Sequence, residues 1–360
     1  MDSKEKLVNP LGWFVTTEKL WLRKWDLVQK SHHQGMFTQT SSWLSSYRAY
    51  GFSYELLIKT DSLQNIVAGF GCLLIKAGPF KVYFCPWGPF LSDSVKPKEA
   101  LDQFVQRAIQ VKASVAQFNP PVFTHTDNWT FLLKDKKLKR GNFLKKIYVP
   151  LEFNLISLPD PDDLSWENNL LKSFSENAKR NIKASKKFPI EIKPAKTPSE
   201  IAQAYACFQN NADREGYSIR TWEDVKESLT DAVIQENSII LLAVYEEKVV
   251  GAIWCAYGGN MLSYIMGGVD RSEKDLKLGH LLQWTCMQLA VQHNFPNYNI
   301  SVGGSEGVVR FKSSFYPKQV SSVGPYHLVL QKLPYVLFKF LFPYLEKNKT
   351  QISRILKYLN

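Results

Sequence analysis

The sequence has few cysteines, and their arrangement excludes two common uses. Only five occur among 360 residues, and they form neither a CxxC pair nor a Cys/His spacing suited to zinc. Most of them lie in apolar runs, so we expect buried free thiols and a reducing compartment. A disulfide-stabilised secreted domain and a structural zinc domain are therefore both disfavoured.

Long apolar runs are also missing. The first residues, MDSKEKLVNP, lack the apolar core of a secretory signal, and no later run reaches the roughly 18 uninterrupted apolar residues that a membrane span needs. We therefore expect a cytoplasmic protein, with contact to the inner leaflet as the closest approach to a membrane.

Acidic residues are outnumbered, 33 against 45 basic ones, which gives a net charge of +12. This excess predicts an acidic partner: nucleic acid, a phosphorylated substrate or anionic lipid. The basic residues cluster in 134–146, in 172–187 and in the tail from 332 onward. Solvated helix faces and a loop would explain each cluster equally well.

The hydrophobic pattern of the first 150 residues predicts an α/β unit. The predicted elements are helices at 17–30, near Ser41 and at 98–117, and strands at 53–59, 65–76, 81–85 and 122–126. The segment 150–162, rich in Pro and Asp, indicates a domain boundary.

A similar order of elements follows that boundary. We predict helices at 165–187, 199–215, 221–236 and 278–293, and strands at 189–193, 238–245, 249–257, 261–266, 298–302 and 324–330. The hairpin-then-helix order resembles the acyl-CoA N-acyltransferase (GNAT) half-sheet. The prediction is an α/β fold of two GNAT-like domains with mixed central sheets, 1–150 and 151–330, and a tail, 331–360, that packs on the first domain or on a membrane.

One short segment, GVVRFKSSFY at 307–316, places basic side chains among apolar ones. We interpret it as a half-buried strand that carries Lys312. Amide-forming transfer needs an amine held near an activated carbonyl and a positive or hydrogen-bonding group where the oxyanion develops. Lys312 suits the second task, although a lysine whose ammonium snorkels from a strand end is the plain alternative.

Several motifs resemble those of the FemABX family, the aminoacyltransferases that build peptidoglycan interpeptide bridges. YNISVGGSEGVVRFKSSF (298–315) resembles the family's terminal signature. The other matches occur in the family's order along nearly the whole chain: FTQTSSWLSSYRAYGF (37–52), YFCPWGPFLSD (83–93), RNIKASKK (180–187), DREGYSIR (213–220) and LQW (282–284). The resemblance implies two GNAT-like domains.

The resemblance also implies roles for individual residues. Lys312 would stabilise the tetrahedral intermediate, and Tyr264 would line the site of a sugar-nucleotide or lipid-linked precursor. Arg214 would contact that precursor. Arg48, within one position of the family's basic residue, would contact its diphosphate. Gln39 is a further substrate-binding candidate from the same motif, although a structural role explains it better.

The acyl donor is indicated by a missing loop. Acetyl-CoA binding in GNAT proteins uses an R/Q-x-x-G-x-G/A loop, whose bare backbone amides approach the pyrophosphate. The nearest match, 274–279, has Lys277 in place of a glycine. This favours another donor, such as aminoacyl-tRNA. The basic candidates for contacting that RNA are Lys136, Lys137, Lys139, Arg140 and Lys183.

The sequence therefore predicts an aminoacyltransferase that forms an amide bond on an amino group of a lipid-linked or UDP-linked peptidoglycan precursor. Neither a metal nor a cofactor is needed for this chemistry, and no histidine has the setting of a metal ligand. Two alternatives remain open: a CoA-dependent N-acyltransferase in polysaccharide biosynthesis, and a non-catalytic, membrane-peripheral scaffold that kept the fold.

Overall fold

The computed structural model describes residues 12–77, 80–123, 129–144, 147–271 and 275–347. Within these ranges the chain forms two mixed β-sheets flanked by helices. The expected α/β class with two mixed central sheets is confirmed.

The first sheet is built mainly from the N-terminal part of the chain. Its strands have the order β1-β2-β3-β4-β6-β15-β7, with β5 paired to β3. The elements of this part are β1 (Trp13–Thr16), α1 (Lys19–Ser31), a 3-10 turn (Phe37–Gln39), α2 (Ser41–Ser45), a second 3-10 turn (Ser46–Tyr50), β2 (Ser53–Thr60), β3 (Ile66–Ala77), β4 (Phe80–Cys85), β5 (Phe90–Leu91), α3 (Pro97–Gln110), β6 (Val115–Phe118), α4 (Phe131–Lys134) and β7 (Leu138–Arg140).

The second sheet has the order β14-β8-β13-β12-β11-β10-β9. The elements of this part are β8 (Glu152–Ser157), α5 (Trp166–Lys172), α6 (Glu176–Ser185), β9 (Glu191–Pro194), α7 (Pro198–Glu215), α8 (Trp222–Ile234), β10 (Ser238–Tyr245), β11 (Lys248–Gly258), β12 (Met261–Val269), α9 (Leu278–Gln292), β13 (Asn297–Asn299), α10 (Glu306–Ser313) and β14 (Lys318–Ser321). They are followed by β15 (Tyr326–Val329), which belongs to the first sheet, and α11 (Lys332–Lys347).

Local sequence explains the clearest of these elements. At the start of α7, Thr197 and Glu200 form a reciprocal capping box, and Gly216 ends the helix in the left-handed conformation. The β10–β11 hairpin turns at Glu246 and Glu247, which both have positive φ, as a two-residue turn with the twist of its strands requires.

Two of the predicted helices differ from the structure. The helix predicted at 98–117 ends at Gln110, and the buried residues Val115–Phe118 instead form β6, parallel to β4. The helix predicted at 165–187 is two helices, because Ser175 caps a new one by accepting a hydrogen bond from the backbone N–H of Ala178. Of the strand predicted at 122–126, residues 122 and 123 are not in a strand and the rest lie outside the described residues.

The segment 307–316 is a helix, so the strand interpretation is wrong. Val308, Phe311, Lys312 and Phe315 follow the spacing of one helical face, and α10 buries Lys312 on that face while Phe315 is buried just past its end. A short run of apolar and basic residues fits both the two-residue repeat of a strand and the 3.6-residue repeat of a helix. The packing of its buried side chains selects the helix.

The strand predicted at 324–330 does not finish the second sheet. β15 instead pairs with β6 and β7 in the first sheet, so the chain returns to the first domain after completing the second sheet. The described part of the tail follows it there, because the ring of Phe338 stacks on that of Phe80 with centroids 4.1 Å apart. The boundary near residue 150 stays a prediction; residues 348–360 lie outside the described residues.

The two domains are joined by a buried polar contact. Asp26 in α1 accepts hydrogen bonds from the backbone N–H (2.7 Å) and hydroxyl (2.6 Å) of Ser41, and from Nδ2 of Asn237 in the second domain (2.8 Å). The backbone N–H of Gly259 donates to the carbonyl of Gln29 at 2.9 Å. These contacts fix how the two domains face each other across a cleft.

Of the helices in the described ranges, none combines the length and apolar character that crossing a membrane would demand.

Candidate functional site

A cavity of about 1380 Å³ lies between the two domains. The first domain contributes mainly aromatic and aliphatic walls, and β12 and the loop after β13 contribute hydroxyl and amide groups. The residues that matter for its chemistry are Trp43, Arg220, Trp254, Tyr264, Asn299 and Ser301.

Lys312 meets this cavity through two of its lining residues. Helix α10 buries the side chain to 5% exposure, and Nζ donates hydrogen bonds to the Ser301 hydroxyl (2.8 Å) and to the carbonyl of Gly303 (3.0 Å). The same nitrogen lies 5.4 Å from the centre of the Tyr264 ring. The predicted catalytic lysine is thus buried against the wall of the cavity and does not point into bulk water.

Burial alone changes the acidity of Lys312. No ion pair found in the described part of the chain includes this lysine. Desolvation lowers the pKa of Lys312 to about 8. The ammonium is therefore present at neutral pH without a carboxylate to neutralise it, and it is available to an oxyanion.

The loop that holds Lys312 has an unusual backbone. Ser301 has φ of +61°, and Gly303 and Gly304 also have positive φ. Asn299 Oδ1 accepts from the backbone N–H of Ser301 at 3.0 Å, and Asn154 Nδ2 donates to the Ser301 carbonyl at 3.1 Å. These bonds hold Ser301 in a conformation that few non-glycine residues adopt, and so fix where its hydroxyl meets the lysine.

Tyr264 contacts Lys312 and also lines the cavity. It is on β12, opposite Cys255, at an irregularity in the register with β11. Burial raises the pKa of its hydroxyl, so the phenol stays neutral. The ring lies beneath the ammonium and the residue lines the cavity, and its predicted contact with the substrate stays a prediction.

Arg220 lines the same cavity, although it was not among the site residues predicted from the sequence. Its guanidinium donates to the Ser46 hydroxyl (2.9 Å) and carbonyl (3.2 Å) of the first domain. It also lies 4.8 Å from the ring centres of both Tyr47 and Tyr50. The available signal was its place at the end of the DREGYSIR motif, where Arg214 was chosen instead.

The other substrate-binding candidates lie elsewhere. Arg214 is exposed and donates to the carbonyl of Val269 (3.2 Å). Arg48 lies over the ring of Tyr54 (5.0 Å) beside a separate polar cavity of about 710 Å³. Neither lines the cavity at Lys312, and their predicted substrate contacts stay predictions.

Gln39 is 1% exposed, and its role in the structure is to join two segments. Its side-chain amide donates to the carbonyl of Gly71 (3.1 Å) and accepts from the N–H of the same residue (2.7 Å). This pairing fixes the turn before α2 to β3, which agrees with the structural explanation of the residue.

The basic candidates for RNA contact are exposed, and none of them lines the cavity. Lys136, Lys137, Lys139 and Arg140 lie on and before β7, and Lys183 lies on α6. Lys139 Nζ is 5.5 Å from the ring centre of Tyr335 in α11.

The site of the GNAT pyrophosphate cradle does not fit CoA. Lys277, with φ of +57°, precedes α9 and forms an ion pair with Asp275. A Cβ on Gly279 would lie 3.6 Å from the ring of Phe311, which also packs edge-on against His280. Lys277 thus places a side chain where a bare amide would have to approach the pyrophosphate, and the ring of Phe311 packs beside Gly279.

No group of three or more His, Cys, Asp or Glu side chains that could hold a metal ion occurs among the residues that the structure describes.

Comparison with known proteins agrees with this architecture. Residues 172–313 match the family model described as an acetyltransferase (GNAT) domain. No curated protein matches the sequence. FemX, solved by crystallography, is similar with a TM-score of 0.72 at 13% identity, over 91% of this chain and 99% of FemX.

Two further solved structures share the fold. The C-terminal domain (DUF2156) of a protein described as a lysylphosphatidylglycerol synthetase from Agrobacterium fabrum has a TM-score of 0.52 at 10% identity, over 90% of this chain and 96% of its own. L-PGS from Bacillus licheniformis has a TM-score of 0.52 at 12% identity, with 89% and 95% covered. At these identities the likeness establishes the fold, and the GNAT match supports an acyltransferase. The FemX fold and the GNAT domain are both consistent with the FemABX family that the sequence motifs resemble.

Proposed function

We propose that the protein is an aminoacyltransferase that forms an amide bond on an amino group of a peptidoglycan precursor. The observation that carries the proposal is the buried ammonium of Lys312, which contacts Ser301 and Tyr264 in the wall of the interdomain cavity and has no ion-pair partner among the residues that the structure describes. An amide-forming transfer needs such a cation where negative charge develops.

The reaction is a direct transfer within a ternary complex. The acceptor amine attacks the carbonyl carbon of the donor ester, and the carbonyl oxygen becomes an oxyanion. An ammonium group has three N–H donors, and Lys312 uses two on Ser301 and Gly303, so the third remains for the oxyanion. The tetrahedral intermediate then collapses with cleavage of the ester C–O bond, the leaving oxygen takes the proton that the attacking nitrogen loses and departs as the donor hydroxyl, and no covalent enzyme intermediate forms.

Aminoacyl-tRNA is the proposed donor, and a lipid-linked or UDP-linked precursor is the proposed acceptor. Both are polyanions, which suits a net charge of +12. Exposed basic residues such as Lys183 on α6 would contact the RNA. FemX and the lysylphosphatidylglycerol synthetase domain have the same fold, which supports aminoacyl transfer at a coarse level. The proposed place of action is the cytoplasm, at or near the inner leaflet.

Two alternatives are less well supported. A CoA-dependent N-acyltransferase is disfavoured by the side chain of Lys277, which directly precedes α9, and by the ring of Phe311 in α10, which packs beside Gly279. Micromolar binding of acetyl-CoA in a calorimeter would favour it nonetheless. A non-catalytic scaffold is disfavoured by the cavity itself, since about 1380 Å³ is left open beside Lys312.

The test is turnover of the purified Lys312→Ala variant with total aminoacylated tRNA and UDP-linked or lipid-linked muramyl pentapeptide. Loss of one oxyanion donor costs about 10²–10³-fold in rate, so we expect kcat to fall by that amount. Lys318→Ala, an exposed lysine on β14, is the matched control and should keep full activity. Equal rates for the two variants would contradict the proposed mechanism.

A further inference from the structure

Helix α11 has two apolar faces, and only one of them is packed. Tyr335 and Phe338 face the first domain, where the ring of Phe338 lies 4.1 Å from that of Phe80 and 5.6 Å from that of Phe143. The opposite face is exposed although it is apolar, with exposures of 72%, 46%, 50% and 80% for Leu333, Val336, Leu337 and Phe340. Their spacing of three, four and seven residues places the four side chains on one side of the helix. We call this set the apolar stripe.

A basic patch lies beside this helix. β7 pairs with β15, the strand that leads directly into α11, and Lys139 reaches the ring of Tyr335 (5.5 Å). Lys136, Lys137 and Arg140 are exposed around the same strand, and so are Lys332 and Lys339 on the helix. Asp135 is the only acidic residue in 129–144. The stripe is therefore flanked by a positive surface.

The interdomain cavity extends to the inner side of the same helix. Phe338, Phe80 and Phe143 are all lining residues of that cavity. An apolar lining at this place serves a hydrocarbon chain better than it serves a polar nucleic acid. The exposed stripe points to the same chemistry, because RNA binding uses basic and aromatic groups rather than a row of leucine and valine side chains.

We propose that α11 and β7 form a docking face for an anionic lipid surface. The apolar stripe enters the boundary between headgroups and acyl chains, as in helices that lie in the plane of a membrane, and the basic patch meets the lipid phosphates. The face adds a place of action to the proposed function but does not depend on it, because docking requires no acyl transfer.

The test is co-sedimentation of the full-length protein with vesicles of phosphatidylcholine and phosphatidylglycerol in a ratio of about 3:1, and with vesicles of phosphatidylcholine alone. The protein should bind the anionic vesicles, less well in high salt. Leu337→Glu/Phe340→Glu should weaken binding at least tenfold. The matched control is Leu63→Glu/Leu164→Glu, because these leucines are 78% and 103% exposed and distant from α11 in sequence. It should bind like the unaltered protein.

Lys136→Glu/Lys137→Glu should weaken binding to the anionic vesicles and leave binding to phosphatidylcholine unchanged.

Equal binding by the stripe variant and its control would overturn the proposal, as would failure of the unaltered protein to bind either vesicle. A stripe variant that turns a dimer into a monomer on a sizing column without weakening vesicle binding would assign the stripe to a second copy of the chain. Loss of tRNA retention with intact vesicle binding in the lysine variant would assign the patch to RNA.

Discussion

The acidity of a single side chain decides what the cavity can do. Lys312 is an ammonium with two fixed acceptors and a tyrosine ring beside it, and no carboxylate partner was found for it in the residues described. An aspartate at that distance would hold the lysine charged but would also compete with a developing oxyanion for its protons. The arrangement therefore leaves the charge to substrate, which is the requirement of an oxyanion-binding group.

The rate should depend on pH through Lys312. Its pKa is lowered to about 8 by burial, so it is mostly protonated at pH 7 and becomes neutral above pH 8. Because only the ammonium can donate a charge-assisted hydrogen bond to the oxyanion, the ratio of kcat to that of Lys312→Ala, which cancels the ionisation of the acceptor amine, should be flat below pH 8 and fall about tenfold per pH unit above it. The kcat profiles of both proteins, measured between pH 6 and 10 with saturating substrates, check this. A ratio that stays flat to pH 10 would contradict the role.

Ser301→Ala should shift the alkaline fall of kcat to lower pH. The hydroxyl of Ser301 accepts a hydrogen bond from Lys312, which favours the charged form of the lysine. Without it the pKa of Lys312 should fall below 8, and the alkaline loss of kcat should begin at lower pH. The measurement is the same profile on the variant, and Ser313→Ala, an exposed serine of α10, is its control. Two superimposable profiles would show that Ser301 does not set the acidity of the lysine.

At the scale of single elements, α10 owes its place to the loop that precedes it. Gly304 has φ of +120°, and a Cβ there would lie 2.6 Å from Cγ1 of Val308 in the helix. Both the backbone conformation and the close approach require glycine. The helix, and with it Lys312, is therefore positioned by a residue without a side chain.

Gly304→Ala should displace α10 and lower kcat, whereas Gly307→Ala should not. A Cβ on Gly307 meets nothing within 4 Å, and this residue lies within the helix with no positive φ, so alanine there should be neutral or stabilising by up to about 1 kcal/mol. Urea unfolding gives the two free energies, and turnover gives the two activities. If Gly304→Ala retained full activity, the loop would not position the lysine.

The same elements show what the sequence could and could not predict. The motif around Lys312 pointed to a lysine that the structure buries against the cavity wall, and its catalytic role stays a prediction. The secondary structure predicted for 307–316 was wrong, because a ten-residue run of mixed apolar and basic residues fits a strand or a helix until its packing partners are known. Arg220 was not predicted for a related reason: two arginines share one motif, and the contacts of Arg220 with Ser46, Tyr47 and Tyr50 of the first domain, which distinguish it, depend on the tertiary fold.

At the scale of the whole molecule, chain connectivity explains why the domains act together. β15 returns to the first sheet after the second sheet is complete, so the first domain needs segments from both ends of the described chain. Membership of a strand in one sheet or the other is a long-range property that a local apolar pattern does not encode. This is why the strand at 324–330 was assigned to the wrong sheet.

The orientation of the domains depends on Asp26. Burial raises the pKa of this carboxyl, and hydrogen bonds from three donors on Ser41 and Asn237 partly offset the loss of hydration. Asp26→Ala would leave these donors without their acceptor in a buried interface, which costs about 1–3 kcal/mol for each unsatisfied group. We expect a lower free energy of unfolding together with a higher KM, because the cavity lies between the domains that this contact joins. Urea unfolding and steady-state kinetics measure the two effects.

Asp61→Ala is the matched control, because this aspartate accepts its hydrogen bonds within one exposed turn and should affect neither quantity. A loss of stability with an unchanged KM would mean that the contact holds the domains together without shaping the cavity. The stability of the interface and the geometry at Lys312 would then be separate properties. Substrate binding, and not the Asp26 contact, would set the relative position of the two walls of the cleft.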